Sequence, residues 1–366
     1  MLRCLALTAL VLLAVTPAAA HAPNQPPHQV HRLGDLKLES GEVIKDFAIS
    51  YVTHGTLNAK KSNAVLMVTA ISGNHHRIDF LIGPGKALDT TKYFVIATDA
   101  IGNGLTTSPS TSAAQPRMQF PKFTMRDMVE SQRRLLQHLG IARVVAVIGP
   151  SMGGMQTLQW GVSHPDVMDA LIAMVPLART PAWTVAVLEA SRKAIMLDPA
   201  WNQGNYTSPP EHGIRLWRDV LFLAARTPEI YRDQFQSSLD VLPWLQAQET
   251  ALIKVFDAND WLYQTWAYER HDVGTTPGFN GDYVKALRAI KAKTLILNGV
   301  KDLLNPEFEP EDAARFIRDV RVVTINPGKI TGHAAAGGAF PSDVDFLNRE
   351  IGTFLDLVTE RGRRLE

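Results

Sequence analysis

The residues best suited to chemistry stand at Gly149-Pro150-Ser151-Met152-Gly153, a G-x-S-x-G pattern. The run before it, Arg143 to Ile148 (RVVAVI), is apolar and β-branched. The stretch after it, toward His164, has a helical pattern. A serine held in a sharp strand-to-helix turn stands clear of the sheet, over a helix N-terminus that favours developing negative charge. Glycines on both flanks let backbone pass close without a Cβ clash. The chemistry this implies is attack of Ser151 Oγ on a carbonyl carbon, giving an acyl-serine.

A serine hydroxyl needs a base, and the base needs an acid to orient it. In nucleophile turns of this kind the chain order is serine, acid, histidine. Thr294 to Leu297 (TLIL) reads as a strand followed by Asn298-Gly299-Val300-Lys301-Asp302, which makes Asp302 the best acid. Beyond Asp302 the chain holds one histidine, His333, after the strand-like run Val320 to Ile325. A cap before Pro306 and a surface loop histidine are the plainer alternatives for these two. A tetrahedral intermediate also needs two donors for its oxyanion. The Met152 N–H follows the nucleophile, and the Ile71 N–H lies in the loop Ala70-Ile71-Ser72-Gly73 after the apolar run Ala64 to Thr69. His75, His76 and Asp79 lack a further well-spaced ligand, so no metal is expected.

These residues must be positioned by alternating elements. Val43 to Thr53, Ala64 to Thr69, Tyr93 to Thr98, Arg143 to Ile148, Ala170 to Val175, Thr294 to Leu297 and Val320 to Ile325 read as strands. Thr124 to Leu139 reads as a helix capped by Thr124, supported by Asp127 and ended by Gly140; Ser342 to Arg361 reads as another. The expected fold class is α/β, a mostly parallel sheet covered by helices on both faces. The alternation stops over 180–289, where helical segments and six of the seven tryptophans fall (Trp183, Trp201, Trp217, Trp244, Trp261, Trp266). This stretch reads as a helical cap inserted into a core of 33–179 and 290–366. Most of its rings are expected in packing, a few in the wall of a pocket.

Composition narrows the function. The 366 residues are 46% hydrophobic and 20% charged, an ordinary globular balance, with a net charge of +1. A general electrostatic grip on nucleic acid is not expected. The single cysteine, Cys4, excludes a disulfide framework and a thiolate zinc site. Residues 1–20 carry Arg3, an apolar run from Leu5 to Val15 and Ala18-Ala19-Ala20, the pattern of a secretory signal peptide. Cleavage would remove both Cys4 and Arg3 and export a chain without cysteine, periplasmic or secreted and free of membrane. Residues 21–32, with three prolines and three histidines, read as a flexible leader.

Longer stretches carry a resemblance. LIGPGKALDTTKYFVIATD, FTMRDMVESQRRLLQHLGI, GPSMGGMQTLQW and FDANDWLYQ resemble the homoserine O-acetyltransferase family of the α/β-hydrolase fold, over about Leu33 to Leu357. The resemblance implies Ser151, Asp302 and His333 as nucleophile, acid and base. It matches the arginine near the substrate carboxylate to Arg218, and it implies a homodimer joined through the cap. Departures accompany it. The family's transferases follow the histidine with an aspartate that holds the amino group of homoserine; here that residue is Ala334. The loops TAISGNHH and IGNGLTTSPS also differ from the family's. Acyl-coenzyme A, moreover, is a cytosolic donor. The expectation is therefore an exported serine hydrolase acting on a small ester, without cofactor. The alternatives are an O-acyltransferase of the family's own type and a non-catalytic binding protein on this fold.

Overall fold

The computed structural model describes residues 25–253 and 255–363. The signal peptide expected over 1–20, and Cys4 with it, lie outside the described residues. One sheet organises the chain. Its strands are β1 Gln29–Lys37, β2 Val43–His54, β3 Ala64–Val68, β4 Phe94–Thr98, β5 Val144–Pro150, β6 Met168–Met174, β7 Lys293–Gly299 and β8 Val320–Ile325. Their spatial order is β1-β2-β4-β3-β5-β6-β7-β8. β1 and β2 run antiparallel, as does β2 against β4. Every pairing from β4 to β8 is parallel.

β1 corrects one expectation. The leader assigned to 21–32 ends early, because Gln29 to Arg32 already pair with Ser50, Tyr51 and their neighbours on β2. The reason lies in the strand's position. At the sheet edge most of its residues are exposed, so its sequence has little apolar signal. His31 stacks on His138 at 3.5 Å and ties the edge to the first helix.

The central strands are apolar on both faces because both are covered. Leu66, Val68, Ile96, Val147 and Ile296 join one apolar layer. Their neighbours Val65, Met67, Val95, Ile148 and Leu295 join the other. The first layer is closed by α1 Met125–His138 and α2 Met152–Ser163. α1 starts as the sequence implies. Thr124 caps it, and the Thr124 N–H in turn donates to Asp127 Oδ2 at 2.9 Å.

Between β6 and β7 the chain forms α3 Ala182–Met196, α4 Glu211–Ala225, α5 Pro228–Gln234, α6 Val241–Ile253, α7 Ala258–Glu269 and α8 Tyr283–Arg288. No sheet strand falls there among the described residues. α9 Phe308–Ala314 follows β7, and α10 Pro341–Arg363 closes the second layer through Leu347, Ile351 and Leu355. Among the described residues no helix is long and apolar enough to cross a membrane.

Candidate active site at the carboxyl edge of the sheet

Ser151 sits between β5 and α2 with φ 56° and ψ −120°. A non-glycine residue in that region is strained and must be held there by its surroundings. The holding is done by backbone packing. A Cβ on Gly149 would lie 2.5 Å from the Val68 carbonyl oxygen, and one on Gly153 would lie 2.4 Å from it. Neither position admits a side chain, so the flanking glycines are a steric requirement of the turn. The Ser151 N–H donates to the Met174 carbonyl at 2.8 Å, which fastens the turn to β6.

The three expected chemical residues meet. His333 Nε2 is 2.7 Å from Ser151 Oγ, and His333 Nδ1 is 2.7 Å from Asp302 Oδ2. Asp302 is reached from β7, and His333 sits in a 3-10 turn, Gly332–Gly337, beyond β8. The other carboxylate oxygen of Asp302 accepts from the Leu304 and Asn305 N–H groups, each at 2.8 Å. Ser151 and Asp302 are buried and His333 is largely so. Donors on one carboxylate oxygen and a ring on the other fix the histidine tautomer that can take a serine proton.

The expected oxyanion donors lie at adjacent strand ends. Met152 opens α2, where the first N–H groups have no intrahelical acceptor. Ile71 lies in the loop after β3, next to β5. In that loop the Ser72 N–H donates to Gln264 Oε1 at 2.8 Å and Gly73 to the Ala70 carbonyl at 3.0 Å. Among the described residues, the Ile71 N–H between them donates to no protein acceptor. Ser72 itself has φ 54°, which gives the loop its bend. Gln156 Nε2 donates to the Thr69 carbonyl at 3.2 Å, and so holds α2 against this loop.

The two loops that depart from the family are stapled to one another. His75 Nδ1 meets Asp99 Oδ2 at 2.6 Å, both side chains fully buried. Asn103 Nδ2 donates to Asp99 Oδ1 at 2.8 Å and to the Gly73 carbonyl at 3.1 Å. His76 Nδ1 meets Asp79 Oδ2 at 2.8 Å. Burial lowers the His76 pKa against the opposing pull of Asp79. Among the described residues no group of three or more such side chains is arranged to hold a metal.

Sequence reasoning missed the polar shell under the serine. Tyr268, fully buried on α7, donates to Asn305 Oδ1 at 2.7 Å, and Asn305 Nδ2 donates to the Val175 carbonyl at 2.8 Å. Burial raises the Tyr268 pKa, while hydrogen bonding to Ser151 and Asn305 opposes that rise. Gln264, one turn earlier, bridges the Ser72 N–H and the Ile101 carbonyl. Ser110, in the second altered loop, is bound through N and Oγ by Asp260 at 2.8 and 2.5 Å. The FDANDWLYQ stretch holds Asp260 and Gln264, but spacing on a helix does not say which polar residue turns inward.

Arg218 is placed differently from the others. It lies on α4 and bonds to none of the three chemical residues. Its guanidinium stacks on Phe222 at 3.9 Å. Burial, with Arg226 and Arg77 nearby, lowers its pKa to about 10. Two surface grooves lie elsewhere. One, about 510 Å³, is bordered by Arg133, Gly140, Trp160 and His164. The other is bordered by Asn63, Lys92, Val144 and Lys293 at the amino ends of the strands.

Comparison with known proteins agrees with this architecture. Residues 63–333 match the family model described as alpha/beta hydrolase fold. A homoserine O-acetyltransferase of Methanosalsum zhilinae is 36% identical, the match covering 90% of this chain and 72% of that protein. Among solved structures, an acetylester hydrolase from Corynebacterium glutamicum aligns with TM-score 0.83 at 29% identity, over 90% of this chain and 96% of that one. The homoserine O-acetyltransferase from Bacillus anthracis aligns with TM-score 0.81 at 29% identity, over 90% and 97%. The chain belongs to the alpha/beta hydrolase fold family and, within it, to the homoserine O-acetyltransferase family.

Proposed function

We propose that the protein is an acyl-transfer enzyme that works through an acyl-Ser151 intermediate. The observation that carries this reading is the continuous relay from Ser151 Oγ through His333 to Asp302, with both links at 2.7 Å. Ser151 Oγ attacks the acyl carbonyl while its proton passes to His333 Nε2. The oxyanion is received by the Met152 and Ile71 N–H groups. Collapse expels the leaving group, which takes the proton from His333. An acceptor hydroxyl then gives its proton to His333 and attacks the acyl-serine, and Ser151 regains a proton at the end. No step calls on a cofactor.

The acceptor separates two readings. The names of the curated relatives support O-acyl transfer to an alcohol. That support outweighs what the sequence offered for hydrolysis, and it reverses the order expected from sequence alone. Hydrolysis is the second reading, and a specific observation favours it. Ala334, half-buried beside His333, offers no carboxylate to an acceptor's ammonium group. An ammonium desolvated without a partner is costly, whereas water needs no such partner. The export pattern of residues 1–20 points the same way, since it separates the enzyme from acyl-coenzyme A.

The test gives the purified protein p-nitrophenyl acetate, or acetyl-coenzyme A, with and without homoserine. O-acetyl product formed in proportion to thiol or phenol release supports transfer. Free acetate at an unchanged rate whatever alcohol is added supports hydrolysis. Failure of a fluorophosphonate to label Ser151 would sink both.

A further inference from the structure

Three arginines gather beside the turn that carries His333. The Arg77 guanidinium lies against Gly337, four residues after His333; a Cβ there would be 2.7 Å from its Nη2. The end of α4 packs on the same turn. A Cβ on Gly332 would be 3.0 Å from Thr227 Cγ2, and the Thr227 hydroxyl donates to the Ile330 carbonyl. Arg226 is the residue between α4 and Thr227, and Arg218 lies two helical turns before it. Both guanidiniums stack on Phe222, at 3.9 and 4.8 Å, and Arg226 also meets Trp244 at 5.0 Å. Stacking holds a guanidinium plane in place and leaves its N–H edge available.

None of the three forms a salt bridge among the described residues, although many other arginines of the chain do. Arg218 Nε and the Tyr231 hydroxyl are buried there without a hydrogen-bond partner among the described residues. Of the two carboxyls on that helix, Glu211 pairs with Arg215, and Asp219 is engaged with Glu249; burial with that neighbour raises the Asp219 pKa. Mutual repulsion among three unneutralised guanidiniums, partly desolvated, disfavours the cluster in isolation. Arg77 is reached by solvent yet crowded enough for desolvation to lower its pKa.

We infer that Arg77, Arg218 and Arg226, with the Tyr231 hydroxyl, form a subsite for a doubly charged anionic group of the substrate, beside the His333 turn. This deepens the acyl-transfer reading and rests on it for the direction in which the substrate lies. The family resemblance assigns Arg218 alone to a single carboxylate. Arg77 and Arg226 are what make the cluster suited to two negative charges, as in a phosphate or a dicarboxylate. Arginine forks match the oxygens of either in pairs.

The subsite is tested by calorimetric titration of the folded protein with inorganic phosphate, succinate and acetate. At least one dianion should bind tenfold or more tightly than acetate, and which one does identifies the group. Arg77→Met and Arg226→Met should each weaken that binding at least tenfold. Arg318→Met, a change at an exposed arginine elsewhere, should leave it unaltered. Ser151→Ala should bind as the parent does, so the result does not depend on whether the acyl-enzyme reading holds. Arg77→Lys, which keeps the charge and loses the fork, should fall between parent and Arg77→Met. The inference is overturned by equal affinity for acetate and the dianions, by undiminished binding in a folded Arg77→Met protein, or by an equal loss in Arg318→Met.

Discussion

Two stretches of the insertion, α6 and α7, are nearly equal in length and adjacent in sequence, yet they differ in almost every physical respect. α7 buries ten of its residues, including Trp261, Tyr263 and Tyr268. α6 buries none. The polar side chains of α7 reach into the core: Asp260 to Ser110, Tyr263 to the Phe120 carbonyl, Gln264 to Ser72 and Tyr268 to Asn305. α6 offers Trp244 to a ring cluster with Phe222, Tyr231 and Phe235, and leaves Leu242 exposed. The insertion is therefore two things. α7 belongs mechanically to the α/β core, while α4 to α6, with Arg218 on α4 and Arg226 at its end, form an outer layer. The part that orients the reacting atoms is rigidly tied, and the part that would meet the rest of a substrate is tied less.

This contrast can be broken by measurement. The largest effect belongs to the core. Ser151→Ala should abolish fluorophosphonate labelling, and Asp302→Asn should lower kcat about 10^4-fold by presenting the wrong tautomer of His333. Both should melt close to the parent temperature in a thermal scan; a large fall in melting temperature would mean the relay is mainly structural. Next is the turn itself. Gly153→Ala places a methyl 2.4 Å from the Val68 carbonyl, and should cost about 3 kcal/mol in denaturant unfolding. An unchanged midpoint would show that β3 yields and that the turn is not sterically set.

The smallest effect sharpens the division within the cap. Tyr268→Phe removes one hydrogen bond under Ser151 and should cost about 1 kcal/mol in stability. It should also lower kcat several-fold while leaving KM nearly constant, since α7 touches the reacting end. Arg226→Met, on the outer layer, should do the reverse with an anionic ester, raising KM and sparing kcat. Equal effects on both constants in the two variants would erase the distinction between α7 and the outer layer.

Much of the site was legible in the sequence because it follows from local rules. A buried strand, a glycine-flanked serine and a helix predict the nucleophile turn. Once the order serine, acid, histidine is applied, a single histidine after Asp302 leaves His333 as the base. The parts that escaped are those without periodic signal. Gln29 to Arg32 read as leader because an edge strand needs few apolar residues. Tyr268, Gln264 and Asn305 were invisible because inward orientation of a polar side chain depends on what packs against its helix. The ranking of hydrolysis above transfer rests on Ala334, on the two altered loops and on the export pattern, and the likeness to named transferases weighs against that ranking.

The sequence by itself determined the alternation of strands and helices and the turn at Ser151, consequences of short-range sterics and of burial on two faces, while the order of residues along the chain pointed to Asp302 and His333. Only the tertiary structure decided which residues meet across long separations. It brought Ser151 within 2.7 Å of a ring 182 positions away, folded Asn305 under Tyr268, and gathered Arg77 with Arg218 and Arg226. Long-range contacts of this kind arise from the closing of the whole sheet and its cap, so no local pattern encodes them.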